Sequence, residues 1–375
     1  MIVFLTLVVL IYLATIAQLI YGFGKIKTFH TTEMQPKTFF AIVVPFRNES
    51  DNLPLLLDSI KNLNYPEDLF EIILVDDFSK DDSVRKFYHW RMENGKFQTT
   101  LLENIRLSDS PKKDAIARAI PIIKKDWVVT TDADCILPND WLLTLDNYIQ
   151  RYDVAMIVGS VAYICRRYSF LHQFQRLDLS SLQGTTIGSF GMGLGFMCNG
   201  ANFAYRKSLF EKLNGFKGND KTASGDDVFL VQKAMREFPE QVHYLKAKTN
   251  VVHTKPTDSW ASLFHQRVRW ASKTSSYQSI FAKDLAVIVF ATNFVLILGM
   301  ICAAAGLVAW LHLGLLFLAK CLTDVLLLYK TNRFLARKRL RFVIAGSLFY
   351  PFFCVAVALF ALGGSYQWKG RKFKS

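Results

Sequence analysis

The chain has 375 residues, of which 51% are hydrophobic and 14% aromatic, and it carries a formal charge of +14. This composition excludes a disordered, collagen-like or disulfide-stapled secreted protein. The charge is not a nucleic-acid signature either. From Val325 to Ser375 there are ten Lys or Arg and no Asp or Glu, so the other 324 residues carry only +4. Basic residues gathered this way flank membrane segments and do not cover a DNA-binding face.

In chain order, Met1–Tyr21 contains no charged residue and is followed by Lys25 and Lys27. A cleaved signal peptide carries its positive charge ahead of the apolar run. The order here predicts an uncleaved transmembrane anchor over residues 1–24, with its C-terminal end in the cytoplasm. Residues 38–283 are then a soluble domain. Within it Phe39–Pro45, Glu71–Val75 and Trp127–Thr131 read as buried strands, and Asn52–Leu63, Asp82–Glu93 and Lys112–Ile123 as crossover helices. Such alternation predicts a doubly wound, mostly parallel α/β sheet, whose ligands bind beyond the carboxyl ends of the strands.

After Lys283 the apolar character returns. Leu285–Tyr329 is long enough for two spans turning near Trp310–Leu313, and Phe342–Leu362 gives a third, so residues 284–363 form a C-terminal membrane region. Between the second and third lies the basic run Lys330, Arg333, Arg337, Lys338, Arg339 and Arg341, expected in the cytoplasm. Residues 364–375 are a basic tail. Three full spans would leave this tail outside, against the positive-inside rule, whereas a kinked or re-entrant segment at Pro351 would return it. The six cysteines form no C-x-x-C pair, so neither a zinc site nor a disulfide framework is expected.

The acids fall at the predicted strand ends. Pro45-Phe46-Arg47-Asn48-Glu49 closes the first strand and Asp76-Asp77-Phe78-Ser79 the second. Carboxylates there can accept hydrogen bonds from a nucleobase or ribose, or they can simply cap a helix and shape a turn. Asp132-Ala133-Asp134 leaves the third strand, and two carboxylates at i and i+2 can converge on Mg²⁺ or Mn²⁺ that takes its other ligands from water and a diphosphate. Ser224-Gly225-Asp226-Asp227 opens a helix. Its acids suit the helix dipole, and Asp227 also suits a general base. Gln266, Arg269 and Trp270 share one face of an amphipathic helix. The glycines of Gly188–Asn202 read as an acceptor loop or a plain flexible connection. His172, His243, His253 and His265 lack metal-ligand spacing.

Taken in order, N-x-E, Asp-Asp, D-x-D, a late acidic pair and Q-x-x-R-W resemble the membrane-bound family 2 glycosyltransferases of GT-A fold. Ceramide glucosyltransferases and related bacterial lipid glycosyltransferases have the most similar layout, and cellulose and hyaluronan synthases share the motif set. The resemblance covers about residues 38–283 and the flanking membrane segments. It implies that Pro45, Glu49 and Asp77 form the nucleoside pocket, with Asp77 at the uracil and Lys112 or Lys113 near the base or diphosphate. It implies that Asp132 and Asp134 form the D-x-D pair, Asp134 nearer a Mg²⁺ or Mn²⁺, and that Asp227 is the catalytic base. Gln266, Arg269 and Trp270 then serve the acceptor and pyrophosphate. Asp226 stands where the family usually has Glu.

The implied enzyme is an inverting glycosyltransferase. It uses a nucleotide-diphosphate sugar, a UDP-sugar by preference, on a lipid or lipid-linked acceptor. Its setting is a bacterial inner membrane, with the catalytic domain cytoplasmic and no nucleic-acid partner. A processive polysaccharide synthase is the alternative within the class, and a non-catalytic, membrane-tethered nucleotide-sugar-binding protein the alternative outside it.

Overall fold

The computed structural model describes residues 1–165, 167–218, 225–336, 339–363, 365–368 and 371–374. The motif residue Ser224 and the basic residues Arg337, Lys338 and Lys369 lie outside the described residues.

The chain begins with α1 (Ile2–Lys25), β1 (Phe40–Phe46), α2 (Leu53–Lys61), β2 (Phe70–Asp76), α3 (Ser83–Glu93) and β3 (Gln98–Glu103). It continues through α4 (Pro111–Ala119), β4 (Trp127–Thr130), α5 (Trp141–Arg151), β5 (Met156–Val158) and β6 (Val161–Tyr163). Next come α6 (Phe170–Gly191), β7 (Phe203–Arg206), α7 (Lys207–Lys212), α8 (Asp226–Glu237), β8 (Val242–Tyr244) and β9 (Val252–Thr254). The last elements are α9 (Trp260–Ser272), α10 (Ile280–Ala304), α11 (Trp310–Leu335), α12 (Val343–Gly363) and a hairpin of β10 (Ser365–Trp368) with β11 (Arg371–Lys374). They form two compact units. One comprises residues 27–164 and 197–255, the other residues 1–26, 165–196 and 256–375.

The first unit is built on a seven-stranded sheet of order β3-β2-β1-β4-β7-β5-β8. β1 pairs in parallel with both β2 and β4, while β7 runs antiparallel between β4 and β5. Phe40 to Val44 are completely buried, as expected of a central strand covered on both faces, which is why they read as a continuous apolar run. Pro45 is tolerated in this strand because it lies past the last β1–β4 pair, Val43 with Thr130, where no ladder bond is needed from its nitrogen. The strand order reverses between β1 and β4, so their carboxyl ends frame the crevice in which an open α/β sheet binds its ligand.

The second unit is helical. Four of its helices, α1, α10, α11 and α12, are long and apolar enough to cross a membrane. The turn between α10 and α11 falls at residues 305–309, just before the Trp310–Leu313 expected from sequence. Lys330 and Arg333, expected in a loop, sit on the last turns of α11. Pro351 lies inside a continuous α12. Helices α6, α9 and α10 each open on a serine whose hydroxyl accepts a backbone N–H: Ser169 from His172, Ser259 from Ser262 and Ser279 from Ala282.

α6 and α9 fall inside the span 38–283 that the sequence suggests as one domain, yet they pack with the apolar helices. The glycines explain how. A methyl group on Gly188 would lie 2.4 Å from the Leu19 carbonyl oxygen, and one on Gly191 would lie 1.8 Å from that of Gly22. α6 and α1 therefore approach at backbone distance, the way small residues let apolar helices associate. This corrects the reading of Gly188–Asn202 as one acceptor loop, since its first glycines are a helix-packing surface. Lys320 is buried on α11 with its ammonium 2.8 Å from Asp324, which also accepts the Tyr12 hydroxyl at 2.6 Å. An ion pair closed by a hydrogen bond is how charge is tolerated among apolar helices.

Candidate active site

The carboxyl edge of the sheet gathers four of the predicted clusters into three groupings. At β1, Asn48 adopts a left-handed backbone (φ 50°), a conformation Asn accepts more readily than most residues, and its side-chain oxygen accepts the Lys80 amide at 2.8 Å. That turn leaves Glu49 buried. Its amide donates to Ser83 Oγ at 2.8 Å and its carboxylate accepts Asn52 Nδ2 at 2.7 Å. Asp81 steadies the facing loop by accepting the amides of Ser50 and Ser83 and the Ser83 hydroxyl. Burial opposes its ionisation, but these hydrogen bonds outweigh burial and hold the carboxyl below the ordinary range.

At β2, Asp77 is buried and accepts Asn104 Nδ2 and Arg106 Nε, each at 2.9 Å. Arg47 donates to the carbonyl oxygens of Asp77 and Phe78. Phe78 itself has φ 57° and a half-exposed ring beside Asp77. The loop carrying Arg106 is fixed in turn by Asp114 in the first turn of α4, which accepts the amides of Leu107 and Ser108. Asn104 and Arg106 carry no signal in the sequence. They follow an edge strand, β3, whose mixed polar and apolar residues give no clear period.

The third grouping joins β4 to α8. Lys112, also in the first turn of α4, places its ammonium 2.6 Å from Asp132 Oδ1 and 3.6 Å from Asp226 Oδ2. Gly200 backs this cluster. Its amide donates to Asp227 Oδ2 at 2.7 Å, and a Cβ there would meet Lys112 Nζ at 2.9 Å and the carboxylates of Asp226 and Asp227 at 3.3 and 3.5 Å. Asp227 Oδ1 accepts the Val228 amide at 2.7 Å. Burial would lower the Lys112 ammonium, but the charges of Asp132, Asp226 and Asp227 prevail and hold it above the ordinary lysine range. Burial pushes the Asp226 carboxyl up, opposed by Lys112 and reinforced by Asp227 and Asp132.

Both lysines left open by sequence act on this cluster, since the charge of Lys113 also favours the ionised Asp226. Lys112 makes the direct contacts with the acids, and Lys113 is buried with its ammonium 5.2 Å from the centre of the Phe229 ring.

Gln266, Arg269 and Trp270 lie half-buried on α9, in the helical unit. Between them, Arg267 pairs with Asp178 of α6, donates to Gln266 and lies 4.1 Å from the Trp270 ring centre. Arg267 carries no sequence signal beyond its place inside the motif, and Asp178, 89 residues earlier, carries none.

Among the described residues, no group of three or more His, Cys, Asp or Glu is arranged to hold a metal ion. The donor chemistry of Asp132 and Asp134 nevertheless fits a hard cation of the Mg²⁺ type, which takes one or two carboxylates and completes its shell with water and substrate phosphate. Both are partly accessible at the end of β4.

The chain thus combines a doubly wound sheet whose acids cluster at its switch point with four helices apolar enough to cross a membrane. Residues 41–214 match the Glycosyl transferase family 2 model. It is 23% identical over 238 residues to the beta-monoglucosyldiacylglycerol synthase of Nostoc sp., covering 62% of this chain and 48% of that protein. It is 27% identical over 190 residues to the undecaprenyl-phosphate 4-deoxy-4-formamido-L-arabinose transferase of Serratia proteamaculans, covering 48% of this chain and 53% of that one. The chain thus spans about half the length of these relatives. Among solved structures it resembles the mannosyltransferase PcManGT from Pyrobaculum calidifontis, in complex with GDP-Man and Mn²⁺. The TM-score is 0.57 at 17% identity, over 96% of this chain and 97% of that one. The fold is GT-A.

Proposed function

We propose that the chain transfers a sugar from a nucleotide diphosphate, a UDP-sugar by preference, to the hydroxyl of a lipid or lipid-linked acceptor, with inversion at the anomeric carbon. The observation that carries this reading is the convergence of Lys112, Asp132, Asp226 and Asp227 around Gly200 at the carboxyl edge of β4.

Asp227, oriented by the amides of Gly200 and Val228, takes the acceptor proton as its oxygen attacks the anomeric carbon. The bond to the diphosphate breaks in line with that attack, and Lys112 supplies positive charge where the diphosphate leaves. Asp77, steadied by Asn104 and Arg106, hydrogen-bonds the base, with Glu49 and Pro45 completing the nucleoside pocket. Asp134, with Asp132, would hold Mg²⁺ or Mn²⁺, which would neutralise further charge on the diphosphate. Gln266, Arg269 and Trp270 are assigned to the acceptor and pyrophosphate.

A lipid acceptor is supported by the four apolar helices on the same chain and by two relatives whose names specify lipid-linked chemistry. The basic residues around α11 and α12 favour a cytoplasmic catalytic unit in a bacterial inner membrane. The test is to incubate the full chain in detergent with a panel of radiolabelled nucleotide sugars and lipid extract, and to read label in the organic phase. Label from one donor, dependent on added lipid, is the expected result. Nucleotide release unaffected by lipid, with no labelled lipid from any donor, would overturn it.

A further inference from the structure

We propose that the amino-terminal edge of the sheet holds a second anion site, built for a phosphate-bearing ligand and separate from the acid cluster. A cavity of about 590 Å³ opens there, lined by Lys37, Phe39, Lys124, Lys125, Arg206 and Lys207 among others. It lies where β1 and β4 begin and where the antiparallel β7 ends. A strand rises about 3.3 Å per residue, so β4 alone carries the chain roughly 10 Å from Trp127 at the cavity to Thr130, and Asp132 of the acid cluster lies beyond that end. Substrates of such sheets bind at the opposite edge, so the reaction proposed above leaves this cavity unexplained.

The lining chemistry selects the ligand. Five cations face three acids: Asp126 and Glu211 in the wall, and Glu71 close by on β2. Two of the cations are already fixed. Lys207 donates to the Ile123 carbonyl at 2.7 Å and pairs with Glu211 at 4.0 Å. Arg206 donates through Nε to the Val154 carbonyl at 3.2 Å, and its guanidinium lies 5.7 Å from the Trp127 ring centre. These contacts hold the guanidinium in place and leave its terminal N–H groups as donors.

Lys125 lies 4.7 Å from the centre of the Phe39 ring, which is 42% exposed. Among the described residues, neither Lys37 nor Lys124 forms an ion pair. Several ammonium groups and one guanidinium around a concave space suit a phosphate group, which accepts hydrogen bonds from many directions. A single carboxylate would leave most of the donors unanswered. The volume falls in the range of small-ligand sites. A soluble phosphate ester and a phospholipid headgroup share this chemistry.

The test is a lysine-acetylation footprint on the full chain, read by mass spectrometry at constant ionic strength in EDTA. One arm adds inorganic pyrophosphate to the protein in neutral detergent. The other reconstitutes it into vesicles of phosphatidylcholine with or without phosphatidylglycerol. Modification of Lys37, Lys124 and Lys125 is expected to fall at least threefold in one arm or both, while the exposed Lys61 on α2 is unchanged. Protection by pyrophosphate assigns a soluble phosphate ligand, and protection confined to phosphatidylglycerol assigns a headgroup. As a second measurement, a Lys124→Ser, Lys125→Ser double variant with unchanged thermal midpoint is expected to lose at least tenfold in affinity for the protecting probe. Unchanged labelling in both arms, or equal affinity in the variant, would overturn the proposal.

Discussion

The Lys112 ammonium bridges Asp132 Oδ1 at 2.6 Å and Asp226 Oδ2 at 3.6 Å, so one cation ties the acid leaving β4 to the first acid of α8. Removing it takes away the ammonium that contacts Asp132 and Asp226 directly and whose charge also acts on Asp227. Lys112→Gln keeps the side chain's approximate length and loses the charge. A charge-assisted hydrogen bond is worth about 1.5–3 kcal/mol, so nucleotide-diphosphate affinity is expected to fall by about tenfold or more. Titration calorimetry with the nucleotide, alongside circular dichroism to confirm the fold, checks this. Unchanged affinity would separate Lys112 from the donor.

Gly200 provides a steric test of the same cluster. A methyl group there lies 2.9 Å from Lys112 Nζ, the far end of a flexible side chain, so Gly200→Ala is expected to fold and to displace the ammonium. A misplacement on the scale of 1 Å can cost about a hundredfold in rate. Turnover is therefore expected to fall by one to two orders of magnitude with little change in thermal midpoint. A comparable fall in stability would reassign Gly200 to the core.

Much of this arrangement was legible in the sequence because the physics that produces it is local. Phe40–Val44 and Ile72–Val75 are apolar without interruption because both faces of those strands are covered, and the acids follow directly at their ends. The three-residue strands β5, β6, β8 and β9 are too short to carry a period. The place of α6 was hidden for another reason. It buries Gln173, Gln175, Arg176 and Asp178 along with its apolar residues, so its polar composition suggests a surface segment. Gly188 and Gly191 read as a flexible loop until the approach of α1 gives them a packing role.

That packing is testable in the helical unit. A Cβ at position 191 would lie 1.8 Å from a backbone oxygen that cannot rotate away, and one at 188 would be nearly as close to another. Overpacking of this kind typically costs about 1–3 kcal/mol. Gly188→Ala and Gly191→Ala are each expected to lower the thermal midpoint in detergent, and the double variant more than either. Midpoints equal to that of the parent protein would mean that the close α1–α6 approach contributes nothing to stability.

Asp132 and Asp134 lead to a prediction on metal. If these carboxylates hold Mg²⁺ or Mn²⁺, EDTA is expected to abolish transfer and either ion to restore it. Asp134→Ala is expected to lose most turnover while keeping its thermal midpoint. Full transfer in chelator would remove the metal from the account.

Asp227 is placed to take the acceptor's proton, and Asp227→Asn, which preserves side-chain volume, removes that capacity while keeping the site's shape. General-base catalysis is worth roughly 10²- to 10⁴-fold. Steady-state transfer to the lipid acceptor is expected to fall by about that factor, with nucleotide-sugar affinity retained. Asp226→Asn, at the buried neighbour, is expected to lose less. Near-normal turnover in Asp227→Asn, or a loss confined to nucleotide binding, would mean that another group takes the proton.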